Sequence, residues 1–519
     1  MLFAPSENSL SREGSSHEQR PPPQNRDRRP PGRGLGLPDR SLTGKRRVRY
    51  SGPTSRTSIY APIRWNRLSL TQPAHADRTD ASRDVRIALL GCGTVGSGVA
   101  RLLVNSTSSV PARSGVDYWL AGIAVRSLAK PRPAEIPSDL FTEDARALVD
   151  DPSIDVVIEC IGGTGVAAEF VVSALQAGKH VVTANKDLLA TRGPELRALA
   201  AARGVTIAYE AAVGGAIPIV RTIAESLAGE EILEVGGVLN GTTNFILSEM
   251  FEGATYASAL AAAQRLGFAE SDPTNDVEGI DAAHKLAILA QLAFRRGLVT
   301  HEIPRHGITT LTREDHSLAK RAGWRLKLIA CARAATSIVT PAYVRAEHAF
   351  AQPVGPQNCI RVTGRSSGSL TFAGTGAGSD PTASSVVGDV VAVLRHIAAG
   401  RNAGVPPTEP SLDPVRTDAQ EPAIALRRIV RLASLGDVRP AREGLAAAGI
   451  DAEPLDGLPA VITAPIEKTL ALRIEEFAGA RHVVPASVIP LWEDIAVPAP
   501  IEREYVTSNT ASSAISTPA

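Results

Sequence analysis

The densest collection of chemically capable side chains lies in AQRLGFAESDPTNDVEGIDAAHK, residues 263–285. Glu270, Asp272 and Asp276 fall on a segment punctuated by Pro273, and a helix is expected to begin near Gly279. Asp281 and Lys285 are then i and i+4 on one helix face, able to pair directly. As a surface ion pair they would contribute well under about 1 kcal/mol. The helix IDAAHKLAILAQLAF is apolar nearly all round, however, so both charges are expected to be half buried. A lysine beside a carboxylate, with a second acid on the facing loop and a nicotinamide near by, suits a zwitterionic amino acid and proton exchange with its alcohol oxygen.

The nicotinamide is suggested by the elements upstream. VRIALL (Val85 to Leu90) reads as a short buried strand, and GCGTVGSGVARLL after it reads as a glycine turn opening a helix. Gly91, Gly93 and Gly96 spell G-x-G-x-x-G: a tight turn, close approach of a pyrophosphate, and close packing of helix on strand. The free N–H groups of the helix start, with Thr94 and Val95 in its first turn, would face the phosphates. The next strand, WLAGIAV (Trp119 to Val125), ends in Arg126-Ser127 where NAD sites usually carry an acid, and no carboxylate follows before Glu135. A guanidinium there suits the 2′-phosphate of NADP; the bland alternative is an exposed strand-end arginine. IDVVIECIGG (Ile154 to Gly163), HVVTANK (His180 to Lys186) and VTIAYEAAVGGAIP (Val205 to Pro218) add βα units, with Ile161, Gly162 and Lys186 at strand ends. The alternation predicts an α/β fold with a doubly wound, Rossmann-type sheet and a ligand crevice outside the carboxyl ends of its strands.

At 519 residues the chain is expected to hold three or four domains. Hydrophobic residues at 44% and charged residues at 21% exclude a wholly disordered chain or a coiled coil. No window approaches the roughly 18 uninterrupted apolar residues of a membrane span and the N-terminus has no secretory apolar core, so the expectation is a soluble, cytoplasmic protein with no membrane partner. Four scattered cysteines, without a C-x-x-C pair, argue against a disulfide framework or a structural zinc site. Residues 1–80 carry 15 Lys+Arg against 7 Asp+Glu, whereas residues 81–519 carry 40 against 47. This basic leader lacks hydrophobic periodicity and is expected to be disordered. It reads as a dispensable extension in preference to a nucleic-acid-binding arm.

The 263–285 stretch resembles, throughout its length, the signature of homoserine dehydrogenase: Ala263, Gly267, Asp272-Pro273, Asp276, Gly279, Asp281 and Lys285 stand at that family's spacing. GCGTVG, TANK (Thr183 to Lys186), YEAAVGGAIP, LNGTTN and GTGAGSDPTAS (Gly374 to Ser384) are similar to its other motifs, in its order. The resemblance covers about residues 84–400 and implies NAD(P)-dependent interconversion of L-homoserine and L-aspartate 4-semialdehyde, on the route to threonine, methionine and isoleucine. It implies Lys285 as the acid/base, and Glu270, Asp281, Lys186, Gly241 and Thr242 around the substrate, Lys186 also touching the nicotinamide. Phe268 stands where some members carry Tyr. It implies cofactor contacts from Lys186 and Gly378, which join the glycine turn, Arg126, Ile161 and Gly162 read above, with NADP expected and NAD left open. A sodium ion would be held by a Glu210 oxygen and the carbonyls of Val213, Gly215 and Ile217, hard donors suited to a hard cation. A homodimer or homotetramer is also implied.

The expected organisation is a leader over 1–83, a dinucleotide-binding domain over 84–215 completed by 374–400, and an α+β substrate and dimerisation domain over 216–373. A linker over 401–420, an ACT-like α+β domain over 421–497 and a tail over 498–519 follow. The last domain reads β-α-β-β-α-β, but LGDVRPAREG (Leu435 to Gly444) replaces the family's ligand turn, which puts threonine feedback in doubt. The form is expected to be a stand-alone one, without an aspartokinase half. Competing readings are a related amino-acid dehydrogenase with another substrate, which lacks the 263–285 signature, and a non-catalytic NADP-binding regulator, which has no need of Glu270, Asp281 and Lys285 together.

Overall fold

In the computed structural model VRIALL forms β1 (Val85–Leu90), with every residue but Arg86 buried, as a parallel strand covered on both faces requires. Residues 84–106, 109–295, 297–298, 300–400, 427–432, 438–447, 449–465 and 485–492 are described. The expected leader, linker and tail lie outside them.

After β1 come α1 (Thr94–Asn105), α2 (Ser109–Ser114), β2 (Tyr118–Ala124), β3 (Phe141–Thr142) and α3 (Ala145–Asp150). Then follow β4 (Val156–Glu159), α4 (Val166–Gln176), β5 (His180–Thr183), α5 (Lys186–Ala202) and β6 (Ile207–Ala208). The six strands form one sheet of order β3-β2-β1-β4-β5-β6, all neighbours parallel. The order reverses between β1 and β4, which opens a crevice at their carboxyl ends.

The chain continues through β7 (Ile232–Val238), α6 (Gly241–Phe251), α7 (Tyr256–Arg265), α8 (Thr274–Val277), α9 (Ile280–Phe294) and α10 (Arg313–Arg321). Four strands then join β7 in a second sheet, in the order β11-β10-β7-β8-β9: β8 (Trp324–Ala332), β9 (Ser337–Arg345), β10 (Gln357–Gly364) and β11 (Gly368–Thr375). Leu286 and Leu289 of α9 share a core with Val235, Leu326 and Leu328 of this sheet, and α9 also packs on α5. The helix that carries the acid/base candidate therefore touches both halves of the molecule.

GTGAG ends β11, and α11 (Ser379–Gly400) returns to the first sheet. Its Ala383, Val386, Val390 and Val393 share a core with Val85, Ile87 and Leu89 of β1 and Val99 of α1. Among the described residues α11 is the one helix long and apolar enough to cross a membrane, and it lays that apolar face on the nucleotide domain.

Downstream lie β12 (Arg428–Leu432), α12 (Arg439–Ala447), β13 (Ala452–Pro454), β14 (Ala460–Thr463) and β15 (Pro485–Trp492). They are ordered β15-β12-β14-β13 with antiparallel neighbours. The second helix of the β-α-β-β-α-β pattern, expected over 466–479, lies outside the described residues, as do residues 433–437 of the replaced ligand turn. The region does not stand apart from the substrate sheet. β15 pairs in parallel with β9 through Leu491↔Tyr343 and Trp492↔Val344, making one nine-stranded sheet. A buried ion pair, Arg431 Nε to Asp315 Oδ1 at 2.7 Å, ties β12 to α10.

Candidate active site

The nucleotide crevice is made chiefly of backbone. A side chain at Gly96 would place its Cβ 2.0 Å from the carbonyl oxygen of Gly91, so only glycine lets α1 start this close to β1. No side chain caps α1 and its first turn holds no acid, which leaves its N–H groups open to an anion. At the end of β4, Glu159 is fully buried and accepts from the amides of Ile161 (2.7 Å) and Gly162 (2.8 Å) and from Thr183 Oγ1 (2.5 Å). Ser379, just after Gly378, donates from Oγ to the Thr94 carbonyl at 2.8 Å, so the start of α11 is tied to the glycine turn.

At the end of β2, Arg126 is exposed. The absence of a nearby carboxylate is not upheld, because Glu143, just past β3, accepts from the Leu128 amide at 2.7 Å. The short β3 folds back along β2, so an acid remote in sequence arrives beside the strand end. A second guanidinium is also present. Arg132 donates to the carbonyls of Cys92 (2.8 Å) and Ser127 (3.1 Å), spanning the glycine turn and the β2 loop, and lies over the Phe141 ring.

A cavity of about 220 Å³ lies past the carboxyl ends of β4 and β5; Gly162, Asn185, Lys186, Gly215, Lys285 and Gly376 are among its lining residues. Asp281 and Lys285 pair as their spacing predicts, Nζ to Oδ2 at 2.8 Å, but at 4% and 7% exposure they are buried outright, not half buried. Lys186, the first residue of α5, brings its ammonium onto the other oxygen, Oδ1, of the same carboxylate. Burial opposes ionisation of Asp281, yet Lys285 and Lys186 together hold its carboxyl well below the usual range. Burial likewise works against the charge of Lys186, and Asp281 outweighs it, so that ammonium titrates above the ordinary lysine range. Lys285 Nζ also donates to the Leu239 carbonyl at 2.8 Å.

Several supporting groups escaped the sequence reading. Asn240 caps α6 through the Thr243 amide (2.8 Å) and donates from Nδ2 to Asp281 Oδ2 (2.8 Å) and Asp276 Oδ1 (2.6 Å). Burial pushes the Asp276 carboxyl up, with Asn240 working the other way. Asn358, fully buried, donates to the same Leu239 carbonyl at 2.8 Å. Asn185 caps α5 and donates to the Gly163 carbonyl at 2.7 Å, and Asp187 pairs with His284 at 2.8 Å. LNGTTN and TANK, noted as motifs, were the available signal for the two capping asparagines.

The structure does not gather every expected residue. Gly241 and Thr242 form the first turn of α6, and the Thr242 hydroxyl is given to the Phe268 carbonyl at 2.6 Å. That contact anchors the loop carrying Glu270, whose side chain remains exposed outside the cavity. Phe268 packs its ring on Phe245. In the expected cation loop, Glu210 opens a 3₁₀ turn followed by Gly214 and Gly215 at positive φ. Its carboxylate is already taken, accepting from the amides of Val220 (2.7 Å) and Arg221 (3.0 Å) and from Arg221 Nε (3.1 Å). Of the main-chain oxygens expected beside it, that of Glu210 already accepts from the Val213 amide at 3.3 Å and that of Gly215 from Ser385 Oγ at 2.7 Å. Asp389 accepts from the Glu210 amide at 2.8 Å, and burial beside Glu210 pushes its carboxyl up to about 8. Among the described residues no group of three or more His, Cys, Asp or Glu could hold a metal ion.

Comparison with known proteins agrees with this arrangement. A family model described as homoserine dehydrogenase matches residues 218–391, and one described as homoserine dehydrogenase, NAD binding domain, matches residues 91–210. The chain is 43% identical over 321 residues to the homoserine dehydrogenase of Bacillus subtilis (strain 168), covering 61% of this chain and 74% of that one. The crystal structure of a homoserine dehydrogenase from Thiobacillus denitrificans superposes with a TM-score of 0.71 at 36% identity, over 79% of this chain and 99% of that one. A hyperthermophilic archaeal homoserine dehydrogenase in complex with NADPH superposes with a TM-score of 0.52 at 26% identity, over 60% and 98% of the two chains.

Proposed function

Since the chain belongs to the homoserine dehydrogenase family, and so is an oxidoreductase acting on the CH–OH group of homoserine in amino-acid biosynthesis, we propose that Lys285 is its acid/base and that NADP is its preferred nicotinamide. The nicotinamide, when bound, accepts or supplies the hydride. A neutral Lys285 has two N–H bonds and one lone pair. Asp281 and the Leu239 carbonyl take the two N–H bonds, which leaves the lone pair for the homoserine hydroxyl proton. In the reverse direction the ammonium keeps both contacts and gives its third proton to the aldehyde oxygen as hydride reaches the carbonyl carbon.

Asp281 orients both lysines and, neutralised by them, is not free for the substrate ammonium. Asp276 is engaged by Asn240. Glu270, on the loop that Thr242 anchors, is the acid left to bind the ammonium, by turning inward over Gly241 and Thr242. Lys186, partly exposed at the mouth of the cavity, spans substrate and nicotinamide. The uncapped α1 start and the Gly91, Gly93, Thr94, Val95 and Gly96 turn fit a pyrophosphate, with Ile161, Gly162 and Gly378 around it and Arg126 toward a 2′-phosphate. A sodium ion fits the main-chain oxygens of Glu210, Val213, Gly215 and Ile217, with no side-chain ligand. The chain is read as a homodimer or homotetramer built on the second sheet.

The observation that carries this reading is the single buried carboxylate shared by two lysines at the mouth of the nucleotide crevice. It is tested by following reduced nicotinamide absorbance with homoserine and each dinucleotide. Turnover on homoserine with NADP favoured is expected, and turnover on another amino acid in its place would refute it.

A further inference from the structure

Lys327 lies in β8 at 3% exposure, and the groups that act on its charge are Arg325 and Cys359, not a carboxylate. Burial, with Arg325 adding to it, pulls its ammonium down to about 8. A lysine held this way destabilises the folded state below its unfolded pKa instead of supporting it. A cost of that kind points to a task other than stability.

The contacts of Lys327 say what the task is. Its Nζ donates to Asn244 Oδ1 at 2.7 Å and to the Pro353 carbonyl at 2.5 Å. Asn244 Nδ2 lies within reach of three carbonyls of one segment, those of Pro353 (3.1 Å), Gly355 (2.9 Å) and Gln357 (3.0 Å). Ser248 Oγ accepts from the Gly355 amide at 3.2 Å, so residues 353–357 are strapped along α6. The strap ends in Asn358, which holds the Leu239 carbonyl that Lys285 also uses. At its centre the Pro356 carbonyl oxygen presses on Gly241, where a Cβ would lie 2.6 Å away. Neither Lys327 nor Asn244 lines the cavity.

We propose that Lys327 and Asn244 are positioning residues for the reaction: they fix the 353–358 strap, which sets the Leu239 carbonyl that aims Lys285 and seats the Gly241 wall of the substrate pocket. The proposal rests on the reading of Lys285 as acid/base, and Lys285→Ala, measured alongside, reports on that reading separately.

The test uses full-length Lys327→Met, Lys327→Gln and Asn244→Ala, with kcat and KM for homoserine, NADP affinity by direct titration, and Tm. A misaimed acid/base and a shifted pocket wall should lower kcat/KM for homoserine on the order of ten- to a hundredfold in Lys327→Met. NADP affinity should hold, and Tm should change little, because the gain from replacing a buried charge with no carboxylate partner is offset by the two acceptors left without their donor. Lys327→Gln, which keeps a donor for one acceptor, should recover part of the loss. Lys327→Met and Asn244→Ala should be non-additive, since both act through one strap. Wild-type kcat/KM in a folded Lys327→Met overturns the proposal. So does a parallel fall of Tm, NADP affinity and homoserine kinetics, which is what a purely structural lysine would give. If Lys327→Met does not fold, Lys327→Gln and Asn244→Ala decide by the same readouts.

Discussion

The nucleotide crevice and the charged cluster around Asp281 face one cavity but are built from opposite materials. The crevice is a backbone site: its glycine turn works by what is absent, and its attraction for an anion comes from the uncapped start of α1. The cluster is a side-chain site, in which one buried carboxylate meets two ammonium groups from α5 and α9 and an amide from the end of β7. A backbone site tolerates change in its side chains but not in its spacing. A side-chain site built from buried charges should fail when any one charge is removed, because the partners left behind are unpaired. The contrast makes each half separately breakable.

The largest expected effect is Lys285→Ala. Removing the proton donor should lower kcat by about 10² to 10⁴ while NADP affinity, measured by direct titration, stays at the wild-type value. Near wild-type kcat would put the acid/base elsewhere, and a matching loss of NADP affinity would mean that cluster and crevice are not separate.

Gly96→Ala should have the reciprocal effect. Its methyl group would meet the Gly91 carbonyl at 2.0 Å, a backbone clash with no rotamer to relieve it. Overpacking of roughly 1–3 kcal/mol falls on the turn and should appear as about a ten- to hundredfold loss of NADP affinity. At saturating NADP, kcat should recover, since Lys285 is untouched. Wild-type affinity in this variant would show that the turn does not approach the cofactor.

The same contrast explains what was legible in the residues. β1, the glycine turn and the start of α1 are contiguous, so a local pattern carries them. The Asp281–Lys285 pair is legible for the same reason, being one helical turn. What assembles across the chain was not. Lys186 reaches Asp281 over a separation of 95 residues and Asn358 reaches Leu239 over 119, and no periodicity records such meetings. The depth of burial of Asp281 also depended on α9 being clasped between α5 and the second sheet, which the helix pattern alone does not reveal. The joining of β15 to β9 belongs to the same class, because strand pairing across distant segments leaves no local mark. The exposure of Glu270 against its expected place at the substrate goes with a loop held through its main chain, by Thr242 on the Phe268 carbonyl and Gln264 on the Glu270 carbonyl, which leaves the acid outward.

The smallest expected effect lies where backbone and side-chain recognition meet, at the end of β2. Arg126 is exposed, so its contact with a 2′-phosphate is screened and falls at the weak end of charge-assisted pairs. Glu143, which accepts from the Leu128 amide, adds a negative charge to the same loop and opposes the phosphate. Arg132 offsets it in part, since its guanidinium already bridges Cys92 and Ser127 and holds the loop in place. The preference for NADP over NAD should therefore be about tenfold in kcat/KM, which corresponds to roughly 1.4 kcal/mol. Arg126→Ala should remove most of it by weakening NADP while NAD turnover stays level. Glu143→Gln should raise the preference by about threefold, because the Leu128 contact survives in the amide and only the charge is lost. Steady-state kinetics with both dinucleotides on all three proteins, at one fixed ionic strength, measures the differences before salt screens them. Equal efficiency in the wild type, or an Arg126→Ala protein with its preference intact, would assign the 2′-phosphate to another group; a Glu143→Gln protein that gains nothing would place that carboxylate beyond reach of the phosphate.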